Sequence, residues 1–170
     1  AAETLTQRSS GNVRCLSSGF VDLDRQLSGG FRPGNLIVLA GRPAMGKTSL
    51  GVNIAYQVAR SSVPALFLSM EMPEQELADR LIAQSGSVFL SSVLAGDMEG
   101  DNGDRIMCAV SILENLPLVI DDQGGLTLFD VASKARSVKR KHGLGLLVLD
   151  YLQLMSGDGD NRNQQIEQIT

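Results

Sequence analysis

Residues 41–48 read Gly41-Arg42-Pro43-Ala44-Met45-Gly46-Lys47-Thr48. This G-x-x-x-x-G-K-[ST] string limits the fold more tightly than any other feature of the chain, because it works only between a strand and a helix. The apolar run Leu36-Ile37-Val38-Leu39-Ala40 supplies the expected strand, and Leu50, Ile54 and Val58, spaced by four, supply the helix. Glycines let the backbone curl so that successive N–H groups converge on an anion at the helix N-terminus. Lys47 then reaches the β- and γ-phosphates of a nucleoside triphosphate, and the Thr48 hydroxyl ligates Mg²⁺. The candidate nucleotide-binding residues are Gly41, Arg42, Pro43, Ala44, Met45, Gly46, Lys47, Thr48 and Ser49. The plainer alternative is a glycine-rich turn from strand to helix, which the flanking pattern disfavours.

Three further apolar runs read as strands: 65–69, 118–121 and 146–150. None alternates with polar residues, as expected for parallel strands buried on both faces. Helical patterns lie between them, over 46–60, 74–85, 104–115 and 128–142. Pro73 sits near the start of the second, whose Leu77, Leu81 and Ile82 share a face. Asp104 is the expected cap of the third, with Met107, Val110 and Leu113 inward. Thr127 and Asp130 form a capping pattern for the fourth, and Gly143 stops it. Residues 19–34 read as a short helical turn and a tight approach to the first strand. The stretches 96–103 and 157–161 read as polar loops. Strand alternating with helix gives an α/β fold with a mostly parallel, doubly wound sheet flanked by helices. At 170 residues one domain is expected, with residues 1–14 as a linker or tail and 15–170 as the folded part.

Composition narrows the function. Apolar residues make up 43% of the chain, with no Trp, two Tyr and five Phe, so the core is aliphatic. A net charge of −4 argues against a surface that grips nucleic acid all over, though not against one basic patch. Two cysteines without a CxxC and a single histidine argue against a zinc site and for reduced thiols. No apolar stretch approaches the roughly 20 residues of a membrane span. No hydrophobic signal core opens the chain. The expectation is a soluble, cytoplasmic protein with no membrane partner.

Hydrolysis needs more than a phosphate cradle. Leu146-Leu147-Val148-Leu149-Asp150 is an apolar strand ending in a carboxylate, which places Asp150 at the sheet edge as a second Mg²⁺ residue; the alternative, a strand that simply ends in Asp at a turn, is disfavoured by the glycine loop upstream. Ser69-Met70-Glu71-Met72-Pro73 follows the 65–69 strand. Glu71 there is either a base that polarises water or an acid favoured by the dipole of the next helix, and position alone leaves both open. Asp121-Asp122 reads as a pair of turn residues ahead of Gly124-Gly125, with metal ligation as the alternative. Lys134, Arg136, Lys139, Arg140 and Lys141 concentrate positive charge on the last helix. They read as a solvated face that offsets the helix dipole; a subunit or polyanion interface is the alternative.

Taken together, Leu27 through Thr48, Ser69-Met70-Glu71-Met72-Pro73 and Gly143 through Met155, including Asp150-Tyr151-Leu152-Gln153-Leu154-Met155, resemble the ATPase domain of DnaB-type replicative helicases. Ile120-Asp121-Asp122, Leu126-Thr127 and Arg136 fit the same template. The resemblance runs from about residue 13 to the end. It implies a RecA-like P-loop NTPase that uses ATP and Mg²⁺, acting in a hexameric ring that moves along single-stranded DNA and separates the duplex at a replication fork. It also implies Glu71 and Lys47 as catalytic residues, Thr48 and Asp150 as the Mg²⁺ residues, and primase and a helicase loader as partners. The family's domain continues past this chain, to a phosphate-sensing glutamine, DNA-binding loops and an arginine finger. The resemblance therefore implies a partial domain, incomplete at its C-terminus, that binds nucleotide but alone hydrolyses it slowly and unwinds nothing. Other readings stay open: a recombinase-type RecA-like ATPase, a non-catalytic nucleotide-binding module that regulates a helicase, and, more weakly because nothing resembles a lid or acceptor site, a small-molecule kinase.

Overall fold

A computed structural model describes residues 15–42 and 44–150. The expected tail over 1–14, Pro43, the string from Tyr151 to Met155 and the loop over 157–161 lie outside the described residues. The elements run α1 (Val21–Gln26), α2 (Lys47–Arg60), β1 (Ala65–Ser69), α3 (Glu74–Gly86), α4 (Leu90–Ala95), α5 (Gly100–Glu114), β2 (Leu118–Asp121), α6 (Leu128–His142) and β3 (Leu146–Asp150). No described helix is long and apolar enough to cross a membrane.

The three strands form one parallel sheet in the order β2-β1-β3. Ala65 pairs with Leu118 and Leu146 at one end, and Ser69 pairs with Asp150 at the other. β1 is the middle strand, and all five of its residues are buried. Its side chains alternate between two layers, because successive residues of a strand point to opposite faces. Ala65 and Phe67 pack under α2 and α3, with Val52, Ala55, Tyr56, Val58, Leu77 and Leu81. Leu66 and Leu68 pack under α6, with Leu126 and Val131. A helical layer on each face explains why the strand is apolar up to Ser69.

Local rules set the helix ends. Thr127 Oγ1 accepts a hydrogen bond from the Asp130 N–H at 3.2 Å, and Asp130 accepts from the Thr127 N–H at 3.0 Å. This is the reciprocal capping box the sequence predicts. α6 then ends at His142, with Lys139, Arg140, Lys141 and His142 in its last turn, where cations suit the dipole.

Four expectations are corrected. The run Leu36–Ala40 is not a strand: Leu36, Ile37, Val38 and Leu39 are 62%, 48%, 73% and 47% exposed. A parallel strand draws its ladder from partners distant in sequence, and apolar character alone supplies none. The only neighbour of β3 in the described sheet is β1, and the run does not pair along its free edge. The third helix begins at Gly100 rather than 104, so Gly100–Gly103 form a helical turn instead of loop, and Glu99 replaces Asp104 as its cap. Its buried face is Gly103, Ile106 and Ala109, while Met107 is 57% exposed. Small residues at 103 and 109 let α5 lie close to its neighbours, a reason for burial that hydrophobicity does not register. The short helix α4 carries Ser91 and Ser92, weak helix formers, and no periodic pattern announced it.

Candidate nucleotide-binding site

The segment before the phosphate loop is anchored by its own polar pin. Asp24 accepts hydrogen bonds from the Ser17 hydroxyl (2.5 Å), the Ser18 hydroxyl (2.6 Å) and the Ser18 N–H (2.8 Å). Burial works against the Asp24 carboxylate, and these three bonds outweigh it, so its pKa lies below the ordinary value. Leu16 and Phe31 exchange backbone bonds at 2.7 Å. Gly30 is required there, since a Cβ would stand 2.4 Å from the Leu16 oxygen.

In the phosphate loop Ala44 and Gly46 take left-handed conformations, at φ 62 and 78, on either side of Met45. Alternating backbone handedness turns neighbouring N–H groups toward one side and makes a concave anion site. Gly46 caps α2, Lys47 is its first residue, and Thr48 and Ser49 complete the first turn. The Lys47 ammonium folds back and donates to the Gly41 carbonyl at 3.3 Å. The ammonium thus already lies over the loop, held by one exposed bond that a phosphate can replace.

α2 brings this loop to the carboxyl edge of the sheet. Val58, near the end of the helix, shares a core cluster with Ala65 at the start of β1, so helix and strand run in opposite directions. Gly51 lies against Phe67 and Val148. Lys47 is four residues, about 6 Å, back along the helix from Gly51. Ser69 and Asp150 are two residues, about 7 Å, onward along their strands from Phe67 and Val148. The two displacements nearly match, so Lys47 and Thr48 stand level with Ser69 and Asp150.

Asp150 is 7% exposed, and its Oδ2 has no hydrogen-bond partner among the described residues. A buried carboxylate oxygen left unpaired is costly unless something cationic meets it. Glu71 follows β1 by two residues and is exposed in the turn before α3. It lies outside the helix, so a dipole-favoured first-turn residue does not describe it. β1 and β3 are direct neighbours, and the Met70 N–H donates to the Asp150 carbonyl at 2.7 Å.

Asp121 and Asp122 have structural partners. Asp121 pairs with Lys134 of α6 and accepts from the Gln123 N–H at 3.1 Å. Asp122 accepts from the Glu74 N–H at 3.0 Å and so caps α3 from 48 residues away. The sequence reading of turn residues had the local half of this and missed both partners, because no local signal links 122 to 74 or 121 to 134. Of the basic patch, Lys134 is engaged by Asp121, while Arg136, Lys139 and Arg140 stay exposed on the outer side of α6. No group of three or more His, Cys, Asp or Glu gathers as a metal cage among the described residues.

A sequence profile described as "DnaB-like helicase C terminal domain" matches residues 15–170. The chain belongs to that family. A "Replicative DNA helicase DnaB" of Nostoc sp. is 39% identical over 155 residues, which cover 89% of this chain and 18% of that protein. A protein of the same name from Geobacillus stearothermophilus is 34% identical over 164 residues, covering 94% of this chain and 36% of that one. This DnaB-family chain therefore spans well under half the length of these relatives. Among solved structures, one described as an ATPase domain superposes with a TM-score of 0.88 at 29% identity, covering 99% of this chain and 61% of that one. A structure titled "The Structure Of A DnaB-Like Replicative Helicase And Its Interactions With Primase" gives 0.89 at 28% identity, covering 99% and 42%. The fold is that of the RecA-like ATPase domains of DnaB-like helicases, covered in part.

Proposed function

We propose that this chain is the ATP-binding and ATP-hydrolysing motor domain of a replicative DNA helicase, driving DNA unwinding during replication. The observation that carries the reading is the convergence of three elements at one sheet edge. They are a phosphate loop with Ala44 and Gly46 left-handed ahead of Lys47, a buried Asp150 oxygen without a partner among the described residues, and an exposed Glu71 two residues past β1.

Gly41 through Ser49 bind the triphosphate, with the backbone N–H groups of the residues other than Pro43 as donors, and Lys47 leaves the Gly41 carbonyl for the β- and γ-phosphates. The Thr48 hydroxyl and the Asp150 carboxylate are hard oxygen donors of the kind Mg²⁺ accepts alongside phosphate and water. They would hold the ion, which supplies charge neutralisation at the phosphates. The Asp150 oxygen, without a hydrogen-bond partner among the described residues, then gains a cationic neighbour. Glu71 accepts a proton from the water that attacks the γ-phosphate, and its exposed turn leaves room for that water. The domain works in the cytoplasm in a hexameric ring on single-stranded DNA at the fork, with primase and a helicase loader as partners. A DnaB-like relative whose title records its interactions with primase supports that choice of partner.

The test is ATP turnover by the purified chain, with and without single-stranded DNA, beside Lys47→Ala and Glu71→Gln. The expected result is slow turnover by the chain alone, nucleotide binding lost in Lys47→Ala, and binding kept but turnover abolished in Glu71→Gln. An unaltered chain that binds no nucleotide, or one whose turnover ignores Glu71→Gln, refutes the reading.

A further inference from the structure

Around Glu71 the backbone is held at every second residue. The Met70 N–H donates to the Asp150 carbonyl at 2.7 Å. Two residues on, Met72 is clamped at both its polar groups by one side chain. The Ser69 hydroxyl donates to the Met72 carbonyl at 2.6 Å and accepts from the Met72 N–H at 3.1 Å. Two residues further, the Glu74 N–H donates to Asp122 at 3.0 Å. Asp122 is in turn set by Asp121, which Lys134 holds from α6. Glu71 is exposed between the first two of these anchors. Ser69 is 1% exposed and ends a strand that is otherwise wholly apolar. Alanine would fill that position at no desolvation cost, so the hydroxyl is there for its two bonds.

We infer that Ser69 and Asp122 are positioning residues for Glu71: the pair fixes the turn on which the glutamate meets the attacking water. The inference rests on the proposed role of Glu71 as the base. A general base must stand within hydrogen-bond reach of the water proton, and a displacement near 1 Å costs up to about a hundredfold in rate. Ser69 holds the near end of the turn to β1, and Asp122 holds the far end to β2. Neither side chain hydrogen-bonds a described residue of the phosphate loop, so nucleotide affinity is expected not to depend on them.

The experiment measures kcat and KM for ATP in the unaltered chain and in Ser69→Ala, Asp122→Ala, Asp122→Asn and Glu71→Gln, with a thermal melt of each. The expected result is a kcat about ten- to a hundredfold lower in Ser69→Ala and Asp122→Ala, with KM unchanged and the melting temperature lower by no more than about 2–4 °C, the loss of one cap or buried bond. Asp122→Asn keeps an acceptor for the Glu74 N–H and restores kcat. Normal kcat in Ser69→Ala and Asp122→Ala, beside a dead Glu71→Gln, overturns the inference and leaves the base assignment standing. A loss of kcat matched by a larger fall in melting temperature and not restored by Asp122→Asn overturns it as general destabilisation. A Glu71→Gln chain as active as the unaltered one, or no turnover in the unaltered chain, removes the base assignment and this inference with it.

Discussion

Three helical glycines give a graded test of how tightly this domain is packed. Replacing glycine by alanine inside a helix gains about 0.8–1.0 kcal/mol from backbone entropy, before any contact is counted. At Gly51 in α2, an added Cβ would lie 3.6 Å from the Phe67 ring and 3.7 Å from Val148, both ordinary van der Waals distances. The new methyl is accommodated without displacement, so Gly51→Ala stabilises by about 1 kcal/mol and raises the melting temperature by about 2–4 °C in a domain of this size. At Gly86, the last residue of α3, the Cβ would stand 3.0 Å from the Arg105 carbonyl oxygen, which is helical backbone and gives little. The propensity gain is smaller at a helix end, and Gly86→Ala destabilises by about 1 kcal/mol. At Gly103 in the first turn of α5 the Cβ would stand 2.3 Å from the Met98 oxygen and 2.9 Å from its carbon. The loop before α5 must move, and Gly103→Ala loses about 3 kcal/mol. Urea titrations of the three variants measure the series. An inverted order, with Gly51→Ala as damaging as Gly103→Ala, would refute the packing described for α2 on β1 and β3. Gly51 lies four residues past Lys47, so nucleotide affinity in Gly51→Ala stays that of the unaltered chain.

Thr127→Ala removes the side-chain half of the α6 capping box and costs about 1 kcal/mol, a fall of about 2–4 °C in a thermal melt, while Thr127→Ser keeps most of it. Equal loss in both variants would show that the hydroxyl is not the cause. Acid should destabilise the fold through two carboxylates whose pKa lies below the ordinary value. At Asp130 the bonds from the Thr127 hydroxyl and N–H are the cause, against weak burial and helped by Lys134; at Asp24 burial opposes ionisation, and the Ser17 and Ser18 bonds outweigh it. A folded pKa below the unfolded one means the unfolded chain binds more protons in acid, so this stability is present above the unfolded value, about 4, and is lost as pH falls through the lower folded values. Melts should stay level from neutral pH to about 5, drop below about 4, and drop less in an Asp24→Asn, Asp130→Asn double variant. An equal drop in that variant would assign the acid transition to other groups.

The readings that held rest on neighbours in sequence. The glycine spacing of 41–48, the start of α2 at Lys47 and the Thr127–Asp130 box each involve residues a few positions apart, and backbone sterics and short hydrogen bonds act at that range. The family, too, was legible, because such local strings carry it. The short apolar runs at 65–69, 118–121 and 146–150 announced strands, since packing in the sheet, complete for β1 and partial for β2 and β3, leaves a compositional trace. The same trace misled at Leu36–Ala40, where apolar character promised a ladder that pairing did not deliver. The inward face of α5 was read in part: Leu113 packs against the core, Met107 does not, and Gly103 and Ala109 went unread because they pack by being small.

By itself, then, the sequence determined that this protein holds a phosphate loop between an apolar run and a helix, and which carboxylates end its strands. The strand order β2-β1-β3 was decided by tertiary structure alone, because parallel pairing joins segments dozens of residues apart. It alone set Asp150 beside Ser69 and turned Asp122 toward the Glu74 N–H. Those contacts form between residues that share no local turn, and only the packed sheet brings them within hydrogen-bond distance.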